Sequence, residues 1–197
     1  MSENNQLHLQ IKEQQGGIMI PTDTNYALAC YPWDELACAK VYDIKQRPVE
    51  KPLTLLVGSI EQAKKYLLLD TQEEKIFDEL AEKYLPGPFN IIARSSDAVP
   101  KSKYFNPDTV SIVYNKNPAF LDFLRDFGEP LAASSANPSG MAMDELVTYG
   151  LAKKFFGDKV SKIIEQSDLT LDTSVSSTIV SIVGGSIKIV RQGDIVL

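Results

Sequence analysis

Lys45-Gln46-Arg47-Pro48-Val49-Glu50-Lys51-Pro52 marks a change of period in the chain, with a helical pattern before it and a strand pattern after it. Upstream, Asp34 fits an N-cap, and Ala37, Val41 and Ile44 share one helical face. Downstream, Leu53 to Val57 is a short apolar run of strand type. A helix that passes into a strand through a short loop is the unit of an α/β architecture. The loop holds three cations, and Pro48 and Pro52 fix φ so that little entropy is lost in presenting them. That composition suits anion binding, and it suits a plain solvated loop equally well.

On the N-terminal side, Ile18-Met19-Ile20 reads as a buried strand ending at Pro21, followed by the polar loop Thr22-Asp23-Thr24-Asn25-Tyr26. Residues 5 to 15 fit strand alternation or, through Leu7 and Ile11, a helical face; a helix is predicted. On the C-terminal side, Ser59 with Gln62 and Thr71 with Glu74 fit capping boxes. The second opens a helix with Phe77, Leu80, Ala81 and Tyr84 on one face, stopped by Pro86-Gly87-Pro88. Phe89 to Ala93 and Thr109 to Tyr114 read as strands. Asn117-Pro118 starts a helix that Gly128 ends, and Leu131 to Ala133 is a short strand leading into the loop from Ser134 to Gly140. Val147, Leu151 and Phe155 predict a helix from Glu145 to Phe156, with a short strand at Ile163-Ile164 and a polar loop over 166 to 176. Thr178 to Val183 and Ile187 to Arg191 flank Gly184-Gly185 as a hairpin.

Strands and helices intermix, so the expected fold is α/β: a twisted mixed sheet flanked by helices, as one domain over 1–197. Ligands of such sheets gather where loops converge beyond strand ends. The loops 22–26, 45–51, 134–140 and 174–178 are therefore predicted to line one concave cationic cavity.

With 197 residues, 44% of them hydrophobic, the chain can bury a sizeable core. A net charge of −6 argues against a general nucleic-acid coat and confines any RNA binding to a local patch. Cys30 and Cys38 are the only cysteines and His8 the only histidine, so no structural metal site is expected and reduced thiols are. Neither a secretory leader nor an apolar run of membrane length is visible, which predicts a cytoplasmic protein without membrane contact.

The cations and hydroxyls of the four loops are the chemistry left to explain. A Ser/His/Asp triad is out of reach with one histidine, and no glycine-rich phosphate motif is present. Each loop alone has a plain structural reading: Ser134-Ser135-Ala136-Asn137 as a turn, Thr22 and Thr24 as local hydrogen-bond partners, Arg191 as an edge charge. Together they suit phosphoryl or nucleotidyl transfer, where positioning and charge neutralisation supply most of the catalysis.

Six ordered motifs resemble the YrdC/TsaC family: Pro21-Thr22-Asp23-Thr24-Asn25-Tyr26, Lys45-Gln46-Arg47-Pro48 with Lys51, the Pro-Gly-Pro at 86–88, Ser135-Ala136-Asn137 with Ser139-Gly140, Ser177-Thr178, and Arg191-Gln192-Gly193. The resemblance runs from Gly16 onward and is to the short, single-domain form. It implies a YrdC-like fold and an L-threonylcarbamoyladenylate synthase, a nucleotidyltransferase using L-threonine, bicarbonate and ATP for the N6-threonylcarbamoyladenosine modification of tRNA. It further implies that Lys45, Arg47 and Lys51 form a catalytic cationic wall. Arg47, Lys51, Thr109, Ser135, Asn137 and Arg191 would bind ATP, and Thr24, Ala133 and Ser177 would border threonine. Mg2+ would arrive on the nucleotide, without a protein metal site. Implied partners are tRNA or double-stranded RNA and the other proteins of the modification pathway.

Departures from the family pattern cluster around the amino-acid site. Val113 stands where the family implies an arginine for the threonine carboxylate, and Lys101, Lys103 and Lys116 are the nearby cations that could replace it. Tyr26-Ala27-Leu28-Ala29 replaces a Tyr-Gly-Leu-Gly, and Met143 replaces a small polar residue. These leave two competing readings: a paralogue that keeps the nucleotide site but uses another small acceptor or none, and a non-enzymatic RNA-binding module.

Overall fold

The computed structural model describes residue 11 and residues 17–140, 147–166 and 176–197. Among them, nine strands form one sheet: β1 Ile18–Ile20, β2 Ala27–Cys30, β3 Thr54–Leu56, β4 Phe89–Arg94, β5 Thr109–Val113, β6 Leu131–Ser135, β7 Lys162–Ile163, β8 Thr178–Ser181 and β9 Lys188–Arg191. Across the sheet the order is β7-β1-β2-β6-β3-β5-β4-β8-β9, with parallel pairs at β7-β1, β3-β5 and β4-β8. The helices are α1 Glu35–Lys45, α2 Ile60–Lys65, α3 Thr71–Tyr84, α4 Pro118–Phe127 and α5 Tyr149–Phe156. This is the mixed α/β sheet with flanking helices that the intermixed pattern predicts.

Because successive side chains on a strand point to opposite faces, the sheet sorts its residues into two cores. Met19, Leu28, Leu55, Ile91, Ile112, Ala132 and Val180 face one way and meet Val41 of α1, Ala63 of α2, Phe77 and Leu80 of α3, and Phe156 of α5. Ile18, Ile20, Ala29, Leu56, Val113, Leu131 and Ala133 face the other way and meet Phe120, Phe123, Leu124 and Phe127 of α4. Four of the described helices thus cover one face, and α4 lies on the other, where the helical Ile11 joins the same core.

Most helix ends fall where side-chain capping places them. Asp34 accepts from Leu36 and Ala37 N–H, Ser59 from Gln62, and Asn117 from Phe120, with Pro118 in the first turn. The start of α3 differs by one residue from the sequence reading. Asp70, not Thr71, is the cap: its carboxylate accepts from Gln72 and Glu73, while Glu73 returns to the Asp70 N–H. An ionised carboxylate at the N-cap is also favoured by the helix dipole, which a neutral Thr71 hydroxyl does not match. The helix predicted from Glu145 starts only after Thr148, whose hydroxyl accepts from Leu151 N–H. Val147 is drawn out of it, because its N–H donates to Asn25 Oδ1 and its carbonyl accepts from Tyr26 N–H. Met143 and Glu145 lie outside the described residues, as do His8 and all of the 5–15 helix except the helical Ile11. The predicted loop over 166–176 is described only at its two ends. β2 has no counterpart in the sequence reading, and β6 continues through Ser135, two residues beyond the predicted end.

Candidate functional site

The loop after α1 is built as a rigid rim. Gln46 enters the left-handed region at φ 50°, which closes the helix, and Arg47 N–H returns to Tyr42 O at 3.0 Å. Tyr42 Oη donates to Lys51 O at 2.7 Å, fixing the far end of the loop. The Arg47 guanidinium lies 5.9 Å from the Tyr42 ring centre and donates to Lys51 O (2.9 Å), Pro52 O (3.0 Å) and Ser134 Oγ (3.0 Å). Arg47 therefore spans this loop and the end of β6.

Lys45 is placed differently from the other two cations. It is 3% exposed, its ammonium donates to the Ser135 carbonyl, and its own carbonyl accepts from Ser139 N–H. Burial, followed by the charges of Arg47 and Lys51, pushes its pKa down to about 7. Lys45 supports the 134–140 loop from behind.

The 22–26 loop is held by amides from the β5–α4 connection. Asn115 Oδ1 accepts from Asp23 N–H at 3.0 Å and from Asn117 N–H at 2.8 Å, and Asn115 Nδ2 donates to Asp23 Oδ1. Asp23 Oδ2 accepts from Lys116 N–H at 3.1 Å. Burial raises the Asp23 carboxyl pKa, and these donors oppose the shift. Thr22 and Thr24 hydroxyls meet at 3.2 Å in the fixed loop.

The last rim is the β8–β9 hairpin, with Gly184 and Gly185 at φ 80° and 69° in its turn. Arg191 donates from Nε and Nη2 to Ser177 O at 3.0 and 2.7 Å. Gly193 lies so close that a Cβ there would stand 2.2 Å from Ser176 O, and its N–H donates to Thr178 Oγ1 at 3.0 Å. Burial lowers the pKa of Arg191, yet a guanidinium so basic stays charged.

These pieces surround one cavity of about 390 Å³ on the half-covered face of the sheet. All four predicted loops contribute to its wall: Thr22, Thr24 and Asn25; Arg47 and Lys51; Ser134, Ser135 and Asn137; and Ser176 and Ser177. Ala133 and Arg191 complete the predicted set. Two predicted residues stand apart. Lys45 lies behind the wall, and Thr109 begins β5 opposite Arg94, about 13 Å along the strand from Val113, which does line the cavity. The sequence reading missed Thr54, Leu56, Asn90, Asn115, Val147 and Ile179. For Asn90 a signal existed, a lone amide inside the apolar run Phe89 to Ala93. Lys101 and Lys103 line a different hollow and Lys116 is exposed, so none of the three joins Val113 in the cavity.

The Sua5/YciO/YrdC family, described as telomere recombination, matches residues 10–193. The chain belongs to this family. Among its Sua5/YciO/YrdC relatives, the threonylcarbamoyl-AMP synthase of Marinobacter nauticus is 27% identical over 150 residues, 76% of either chain. That of Pyrococcus abyssi is 28% identical over 180 residues, 91% of this chain and 51% of its own length. Relatives so named support an enzyme of the synthase kind. Escherichia coli YciO superposes with a TM-score of 0.82 at 23% identity, covering 97% of this chain and 89% of YciO. P. abyssi Sua5 complexed with L-threonine superposes at 0.81 with 25% identity, over 97% of this chain and 55% of Sua5. The chain thus spans about half the length of the P. abyssi protein.

Proposed function

We propose that this chain is an L-threonylcarbamoyladenylate synthase, a nucleotidyltransferase acting on L-threonine, bicarbonate and ATP. The observation that carries the reading is the convergence of Arg47, Lys51 and Arg191 with Ser135, Asn137 and Thr24 on one cavity. The threonine amine attacks the carbon of bicarbonate, forming an N–C bond with loss of water. The resulting carbamate oxygen attacks the α-phosphorus of ATP, and the bond to the β-phosphate breaks to release pyrophosphate. That second step brings an anion towards an anion, so fixed cations must offset the repulsion first. Arg47, Lys51 and Arg191 take the phosphates, with Ser135 and Asn137 as hydrogen-bond partners. Thr24, Ala133 and Ser177 border the amino acid, and the small Ala133 side chain leaves it room. Lys45 holds the Ser135 carbonyl and so positions the phosphate loop. Mg2+ carried by the nucleotide would neutralise part of the phosphate charge that Arg47, Lys51 and Arg191 face. The product is a mixed anhydride, fit to be consumed in the cytoplasm by proteins that modify tRNA.

Pyrophosphate release from ATP and bicarbonate, with and without L-threonine, tests the proposal. Threonine-dependent release is expected. ATP binding without such release at any threonine concentration removes the synthase reading. It would leave the second one, a paralogue that binds nucleotide or double-stranded RNA without this activity. The observation favouring that alternative is Val113, an apolar side chain in the cavity whose lining includes none of Lys101, Lys103 and Lys116.

A further inference from the structure

Thr22 and Thr24 both line the cavity, and their hydroxyls meet at 3.2 Å, so that one donates and the other accepts. The surrounding groups decide which. Thr22 Oγ1 lies 2.5 Å from the Asn25 carbonyl, which can only accept, so the single proton of the Thr22 hydroxyl goes there. Its two lone pairs then take the Thr24 N–H, at 3.1 Å, and the Thr24 hydroxyl proton. Thr22 is thereby saturated, and the polarity of Thr24 is set: its oxygen offers the cavity lone pairs and no proton. The pair cannot easily rearrange, because Asn115 and the Lys116 N–H hold the intervening Asp23 by its N–H and both carboxylate oxygens.

An oxygen that can only accept turns away phosphate and carboxylate and takes an N–H or O–H. On threonine this leaves the α-amine and the β-hydroxyl, and charge separates them. Arg47, Lys51 and Arg191 stand on the other rims, whereas residues 22–26 include no Lys or Arg, so an ammonium is least repelled at this loop. A charged donor also bonds a hydroxyl oxygen more strongly than a neutral one does. We infer that Thr24 Oγ1 receives the α-amine of the amino acid, and that Thr22 is the positioning residue that makes Thr24 an acceptor. The carboxylate then turns towards the cationic rims, and the nitrogen is held with a fixed orientation for its attack on bicarbonate. This deepens the synthase reading, on which it rests for the identity of the ligand as L-threonine.

L-threonine is titrated by calorimetry into the wild type, Thr22→Val and Thr22→Ser, each with and without an ATP analogue carrying a methylene between its α- and β-phosphates. Thr22→Val exchanges a hydroxyl for a methyl of like size and should weaken threonine about tenfold or more, the scale of a hydrogen bond to a charged group. Thr22→Ser should restore wild-type affinity, and affinity for the ATP analogue should be the same in all three. In competition with L-threonine, L-2-aminobutyrate, which lacks the hydroxyl, should suffer the same loss in Thr22→Val. (R)-3-hydroxybutyrate, which lacks the amine, should compete poorly and equally with both proteins. Should Thr22→Val fail to fold, Thr24→Val carries the same comparison. The inference is overturned by unchanged threonine affinity, by a loss that disappears with 2-aminobutyrate or recurs with 3-hydroxybutyrate, or by an equal loss for the ATP analogue, which would make Thr22 a support of the whole cavity. Pyrophosphate release separates the two readings. Threonine binding with the expected losses but no release retires the synthase and leaves the amine site standing. Threonine-dependent release whose KM for threonine is unmoved by Thr22→Val overturns the amine site and leaves the synthase, and a wild type that binds no threonine removes both.

Discussion

The two faces of the sheet are built from the same strands and finished differently. On the face covered by α1, α2, α3 and α5, strand residues such as Leu55, Ile91 and Ile112 are wholly buried among helix side chains. On the other, α4 closes the ground over β1, β2 and β6 with four aromatic or leucine side chains, while Val113, Asn90 and Ile179 line an open cavity. Small residues mark the boundary, since Ala27 and Ala133 belong to the second core and also line the cavity. One face supplies stability through burial, and the part of the other that folding does not need is free to hold a ligand.

The largest effect that can break this contrast is in the closed face. Phe77→Ala should cost about 3 to 5 kcal/mol of unfolding free energy in urea, while Val113→Ala on the open floor should cost clearly less, because its site already adjoins solvent. Equal losses would mean that the floor is as necessary to the fold as the core. On the rim, Arg47→Ala should weaken ATP binding by about 1.5 to 3 kcal/mol with little change in melting temperature, read by titration calorimetry and a thermal melt. An equally large loss of folding stability would make Arg47 a clamp for Lys51, Pro52 and Ser134 rather than a ligand group.

Lys45 gives a sharper, pH-dependent test. Its folded pKa of about 7 lies below the ordinary value of 10.5, so between those limits the unfolded chain binds more protons than the folded one. The penalty for burying the charge is fully present below pH 7 and is relieved as pH rises towards 10.5. Wild-type stability should therefore gain up to about 1.4 kcal/mol per pH unit within that window from this group, and Lys45→Met should lack the gain. Parallel urea midpoints for the two proteins from pH 7 to 9.5 would refute it. The smallest effect belongs to the closed face again: Asp70→Ala should cost about 1 kcal/mol through loss of the α3 cap, with ATP affinity unchanged.

Features of local origin were legible in the sequence. Asp34, Ser59, Asn117 and Gly128 marked helix ends because a cap depends on residues three or four positions away. Short apolar or β-branched runs marked β1, β3, β4 and β5, a two-glycine turn marked the final hairpin, and the family resemblance gave roles to eight residues that line the cavity. β2 was illegible, since Ala27-Leu28-Ala29-Cys30 has neither alternation nor β-branched residues and is a strand because β1 and β6 pair with it on both sides. Val147 left its helical pattern because Asn25 and Tyr26, more than a hundred residues away, take its backbone groups.

Which segments turn, cap and run apolar follows from neighbours along the chain and was readable there, as was a cation-rich turn after α1, although Lys45 proved to be the last residue of the helix. Whether a charge faces a ligand was decided only by the tertiary structure. Lys45 closes α1 and Lys51 follows six residues later in the loop, yet Lys51 lines the cavity and Lys45 is buried against the Ser135 carbonyl. Asn90 and Val113 are 23 positions apart and become one floor only through the antiparallel register of β4 and β5. Register sets which side chains share a face, and it is fixed by pairing between distant segments, which no local pattern encodes.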